Sequence, residues 1–132
     1  MNVVSEDIKD MLEGESSLEL IYGTNLYLGK EPKTPKDTVT IFDTVGYAPQ
    51  LTLGGQGVDY FYPSIQIRVR NKKYLTGWSL IQDIRTALHG RAHETWNGTL
   101  YTVIYCANGP ALLDWDENNL VRFIINFNLQ RR

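Results

Sequence analysis

Hydrophobic positions along the chain change period several times, and each change marks an element. Between Val3 and Leu12, apolar residues at Val4, Ile8, Met11 and Leu12 keep the three-and-four spacing of one helix face. Asn2 or Ser5 can cap its start, Glu6 and Asp7 suit the positive end of the helix dipole, and Gly14 ends it. "NLYLG" then reads as a short strand. "KEPKTPKD", with two prolines and three lysines, reads as a solvated connector that cannot pair as an inner strand.

"TVTIFDTV" is rich in β-branched residues and predicts a strand. From Gly46 to about Val58 no period holds, and an irregular segment of that length is usually functional or disordered. Alternation resumes in "PSIQIRVR": Ile65, Ile67 and Val69 point one way, while Gln66, Arg68 and Arg70 point the other. That is a half-buried strand with a polar, basic outer face.

"YLTGWSLIQDIRTALHG" is the clearest helix, with Trp78, Ile81, Ile84 or Arg85, and Leu88 in a stripe that Leu80 and Ala87 widen. Gly90 is placed to end it in the left-handed conformation. Gly77, inside the pattern, costs about 1 kcal/mol against alanine and so points to close packing there.

The last third is β-structure. "TLYTVIYCA" is apolar on both faces, as a central strand would be, and "ALLDW" and "LVRFIINFNLQ" flank the turn "DENN". Asn118 and Asn119 tolerate the positive φ of a tight hairpin. In the final strand Val121, Phe123, Ile125, Phe127 and Leu129 share one face, and Arg122, Asn126, Asn128 and Gln130 take the other. The sum is one α+β domain over residues 1–132: a mainly antiparallel sheet of about five strands with two helices on one face.

Composition narrows the function classes. With 42% apolar and 21% charged residues, the 132-residue chain is ordinary for a globular domain rather than a disordered one. A formal charge of −2 gives no global attraction to nucleic acid or anionic membranes. The single cysteine, Cys106, excludes an intramolecular disulfide and sits in an apolar run as a small buried hydrophobe. The acidic start excludes a signal peptide, and no run approaches the roughly 20 apolar residues that span a bilayer. The expected compartment is the cytoplasmic side.

Candidate chemistry fails site by site. In "LTLGGQGVDYFYP", Gly54, Gly55 and Gly57 could cradle a phosphate only if a helix followed them. A strand follows, without "GK[ST]", so the segment reads as a flexible loop. His89 and His93 are four apart beside Glu94 but lack a third ligand, and Asp114, Asp116 and Asn118 lack the glycine and glutamate of a calcium loop. Asp43, the best lone carboxylate, is expected to hydrogen-bond the turn in "FDTVG". Cys106 has no histidine partner and no serine lies in an elbow. No catalytic, cofactor or metal site is expected, which favours a binding or assembly protein over an enzyme.

What remains is surface. Arg68, Arg70, Lys72 and Lys73 form one basic patch, and Lys30, Lys33 and Lys36 another. Tyr60, Phe61 and Tyr62 are consecutive, so in an extended segment at least one leaves its own core, as interface residues do. A single-stranded DNA platform would use such aromatics and arginines, but the acidic balance argues against it. The candidate contact residues are Gly54, Gly55, Gly57, Tyr60, Phe61, Tyr62, Arg68 and Arg70.

The order of "NLYLGKEPKTPKDTVTIFDTVGYAPQ", "YPSIQIRVR", an amphipathic helix and "DENNLVRFIINFNLQRR" resembles a minor capsid and tail terminator family of long-tailed bacteriophages and prophages. The resemblance runs from about Ile8 to Arg131, and family members often carry glycine where Asn119 stands. It implies a structural virion protein of the head–tail junction, assembled in the host cytoplasm. Such subunits form a ring, commonly a hexamer, at the head-proximal end of the tail tube, where they stop growth and join tail to head. The implied partners are other copies, the tail tube protein and a head-side connector, with DNA passing through the ring without specific binding and no membrane. Residues 46–62 are then expected to contact a neighbour or the tube, and Arg68 and Arg70 to sit at a subunit boundary or face the lumen. The alternatives are a head-completion protein at the same junction and, from another class, a small nucleotide-binding enzyme using the glycine loop.

Overall fold

A computed structural model describes residues 1–50 and 60–132. Helix α1 (Val4–Glu13) leads through a short 3-10 turn to strands β1 (Leu26–Leu28), β2 (Thr38–Gln50) and β3 (Tyr60–Asn71). Helix α2 (Tyr74–Leu88) precedes β4 (Ala92–Trp96), β5 (Thr99–Trp115) and β6 (Val121–Arg131). The strands form one six-stranded sheet in the order β1-β2-β3-β6-β5-β4. Its pairings are antiparallel except for β1 beside β2. The class is the α+β expected, with one strand more than the pattern showed. That strand, β4 ("AHETW"), is polar and lies at an edge, where a strand needs no alternation of apolar residues.

The predicted faces are the observed ones. Ile65, Ile67 and Val69 of β3 lie opposite Phe127, Ile125 and Phe123 of β6, all fully buried. Ile8, Met11 and Leu12 of α1 and Ile81, Ile84 and Leu88 of α2 close the core over this face. Gly77 is the point of closest approach: a Cβ there would come within 3.1 Å of both Asn71 and the Phe123 ring. The close packing expected from its place in the helix is therefore what the fold uses.

Four local expectations need correction. The segment 46–50, read as irregular, belongs to β2, which continues past two register shifts around Tyr47. Gly46 makes the first shift possible, because a Cβ there would lie 2.0 Å from the Tyr62 carbonyl oxygen. "TLYTVIYCA" and "ALLDW" are one strand, β5, second from the edge rather than central. Neither Asn2 nor Ser5 caps α1: the N-cap position is Val3, without a side-chain acceptor. At the β5–β6 turn only Asn119 takes a positive φ, 58°.

Candidate assembly interface

The sheet's other face has a different chemistry. On β3, β6 and β5 the outward side chains include amides and hydroxyls bonded to one another. Gln66 Nε2 donates to Asn126 Oδ1 at 3.2 Å, Asn126 Nδ2 donates to Asn108 Oδ1 at 2.5 Å, and Ser64 Oγ donates to Asn128 Oδ1 at 2.7 Å. Arg68 lies on this face, its Nε donating to Gln66 Oε1 at 2.8 Å and its guanidinium 4.8 Å from the Phe42 ring centre. It is half-buried and available at the surface. The bonded amides and hydroxyls offer hydrogen bonds, and Arg68 stands beside them as a positive charge.

Arg70 is not part of an open basic patch. It is 5% exposed, because the connector, residues 29–37, folds over it as a strap. Its guanidinium donates to the carbonyls of Pro32, Pro35 and Lys36 at 2.6, 2.8 and 2.9 Å, and to Glu31 Oε1 at 2.9 Å. Glu31 also receives Arg122 Nη1 at 3.4 Å, and Arg122 grips Asp114 with two bonds of 2.7 Å. Strap carbonyls face inward around a buried cation, so Lys30, Lys33 and Lys36 face solvent. Lys72 and Lys73 are exposed at the same end of β3.

The paired extensions of β2 and β3 carry the aromatic residues. Tyr62 lies across from Tyr47 and Phe61 across from Arg131 of β6. Phe61 is 39% exposed, and with Tyr47, Tyr62, Gly46 and Arg131 it lines an open groove of about 380 Å³. Tyr60 is half-buried, with the Arg132 guanidinium 5.3 Å from its ring centre. Val45 is 96% exposed. Gly54, Gly55 and Gly57 lie outside the described residues.

The candidate chemical groups each have a local task. Asp43 reaches across to α1, where it accepts the Ser5 N–H and hydroxyl, and does not bond its own turn. His89 Nδ1 accepts the Cys106 N–H at 2.9 Å. Asp116 Oδ1 accepts the N–H groups of Asn118 and Leu120, shaping the hairpin turn. Arg122 holds the Asp114 carboxyl below the usual carboxylate range through its hydrogen bonds. Two features escaped the sequence. One is the strap around Arg70, although its lysines and prolines were visible. The other joins both chain ends: buried Asp7 accepts from Tyr101 and from Asn97 Nδ2 at 2.6 Å, with Arg131 3.9 Å away. Burial, then the Asp7 carboxylate, pushes the Tyr101 phenol well above its ordinary value.

The sheet is backed by helices on one side and carries exposed apolar side chains at its ends. Residues 5–132 match the family described as "Bacteriophage tail terminator protein". Among solved structures, a chain of the virion of a native gene transfer agent particle superposes with a TM-score of 0.69 at 12% identity. The match covers 97% of this chain and 93% of that one, and it shows a shared fold. No curated protein matches this chain in sequence.

Proposed function

The chain belongs to the bacteriophage tail terminator family, and from that membership we propose that it ends tail tube growth as a ring and joins the tail to the head. The family makes it a structural protein of a phage tail, and the ring, its position and its partners follow from the proposed role. The family match over residues 5–132 carries it. The distribution of exposed apolar side chains supports it. Val45 and Tyr47 of β2 and Phe61 of β3 lie at one end of the sheet, and Leu112 and Trp115 of β5 lie toward the opposite end. Contacts made through two different surfaces are heterologous and close into a ring when the rotation allows.

In this reading the β2–β3 extension, with Tyr60, Phe61 and Tyr62 and the glycines of the intervening segment, meets a neighbour or the last tube ring. The polar sheet face with Arg68 borders a neighbour or the lumen, where bonded amides let DNA pass without specific binding. Arg70 acts indirectly, by shaping the strap. The partners are other copies, six to a ring as the family resemblance implies, the tail tube protein and the head-side connector. Electron microscopy of particles made without the protein tests the role. Overlong tails without heads are the expected result. Normal tails beside empty or leaking heads would instead place the protein in head completion.

A further inference from the structure

Beside β1, a cavity of about 580 Å³ is walled by Tyr22, Tyr27, Leu28 and Pro32, with the exposed Lys30 and Lys33 at its rim. The Tyr27 hydroxyl donates to the carbonyls of Gly23 and Thr24, which fixes the ring as an apolar wall. Glu31, the acid of this stretch, is engaged with Arg70 and Arg122. Among the described residues, lysine ion pairs involve Lys9 alone, so the rim charges have no carboxylate within 4.0 Å. An apolar pocket with a cationic rim fits a large apolar side chain carried beside carboxylates.

The chain itself presents such a segment. The tip of the β5–β6 hairpin reads Leu113-Asp114-Trp115-Asp116-Glu117, with Trp115 50% exposed and Glu117 exposed. In its own chain the tip borders a different groove, of about 410 Å³, which shares Glu31, Pro32 and Lys33 with the pocket, and no tip residue lines the pocket itself. We propose that the hairpin tip of one copy, led by Trp115 and Glu117, docks in the Tyr22–Tyr27 pocket of the next, against Lys30 and Lys33. The inference rests on the ring reading and names the contact that builds it. Tip and pocket are different surfaces, so the contact is heterologous and repeats around a closed ring.

Charge exchange tests it. A strap variant, Lys30→Glu with Lys33→Glu, and a tip variant, Glu117→Lys with Asn118→Lys, are compared with wild type by native mass spectrometry, alone and with the tail tube protein of the same phage. Wild type forms the closed assembly, each variant alone associates at least tenfold more weakly, and an equimolar mixture recovers an alternating ring. As a second measurement in a Cys106→Ala background, Tyr22→Cys on one copy and Glu117→Cys on another form an intermolecular disulfide. If wild type forms no closed assembly with or without tube protein, the ring reading falls and this contact with it. If wild type closes and both variants close equally well, the contact alone is wrong. A strap variant that fails while the tip variant assembles would assign the pocket to a different acidic partner, and folded variants that do not recover on mixing would also overturn the contact.

Discussion

Asp43 on β2 caps α1 from a distance: its carboxylate accepts the Ser5 main-chain N–H at 3.0 Å and the Ser5 hydroxyl at 2.7 Å. The helix's own N-cap, Val3, supplies no acceptor, so this bond takes the place of a local cap. A cap contributes roughly 1–2 kcal/mol, and a negative group at a helix start adds a favourable dipole term. Asp43→Ala is expected to lower stability by about 1–2 kcal/mol, and Ser5→Ala by less, because the main-chain bond survives. The two substitutions remove one shared interaction, so the double variant should lose less than the sum of the singles. Urea denaturation of the three variants measures this, and strict additivity would show that the pair is not coupled.

Arg70→Lys is expected to damage the strap although the charge is kept. A lysine cannot serve Glu31 and three carbonyls in separate directions, as the planar guanidinium does. Removing one partner of a buried ion pair costs about 3–5 kcal/mol, and the lysine should recover part of that. Hydrogen exchange should rise within residues 29–37 while the β3–β6 ladder keeps its protection. Unchanged exchange in the strap would mean that its prolines alone hold its shape.

The core was legible in the sequence because its signals are local. Ile65, Ile67 and Val69, and the five alternating residues from Val121 to Leu129, announce their face through a two-residue period that any neighbour must respect. The errors came where a partner distant along the chain sets the outcome. Ser5 was a plausible cap by position, but Asp43 stands 38 residues away. Arg70 alternated correctly to the outer face, yet nothing in a lysine- and proline-rich connector says that it folds back over that face. Asp7 looked like a solvated dipole partner until Tyr101, 94 residues on, and Arg131 enclosed it. The strands β4 and 46–50 were missed because edge pairing and bulges need no apolar alternation. Of the contact candidates, Phe61 and Arg68 stand at the surface, Arg70 does not, and the three glycines lie outside the described residues.

Gly46→Ala is expected to disturb the β2–β3 extension more than an exposed strand position normally would. The added methyl would sit 2.0 Å from the Tyr62 carbonyl oxygen and 2.8 Å from Pro63 Cα, both main-chain atoms that cannot swing aside. Overpacking against fixed atoms costs about 1–3 kcal/mol. The cost should appear as lost pairing between Tyr47 and Tyr62, while the core face near Ile67 is spared. Amide exchange resolved along β2 and β3 separates the two regions. A variant with wild-type protection at Tyr47 would show that the register shift can relax.

The pH dependence of stability should have two limbs with separate owners. Arg122, through two hydrogen bonds, depresses Asp114 below the ordinary carboxylate value of about 3.9. A depressed acid contributes stability above its unfolded value and loses it as pH falls through the lower folded one, so this limb lies below about pH 4. Asp114 is 43% exposed at its side chain, so solvent screening keeps the limb shallow. Tyr101 has the opposite sign. Burial and then the Asp7 carboxylate raise its phenol, so its contribution is complete below the unfolded value of about 10 and fades as pH climbs above it. Asp114→Asn should reduce the acid limb and leave the alkaline one, the rest of the acid limb belonging to Glu94, which, against the upward push of burial, hydrogen bonds from Trp96 and Arg91 hold low. Tyr101→Phe should flatten the alkaline limb and also lower stability at neutral pH by about 1–3 kcal/mol, because buried Asp7 loses a donor. Urea midpoints for both variants between about pH 3 and 11 give the comparison; an alkaline limb that persists in Tyr101→Phe would move its origin to another tyrosine or lysine.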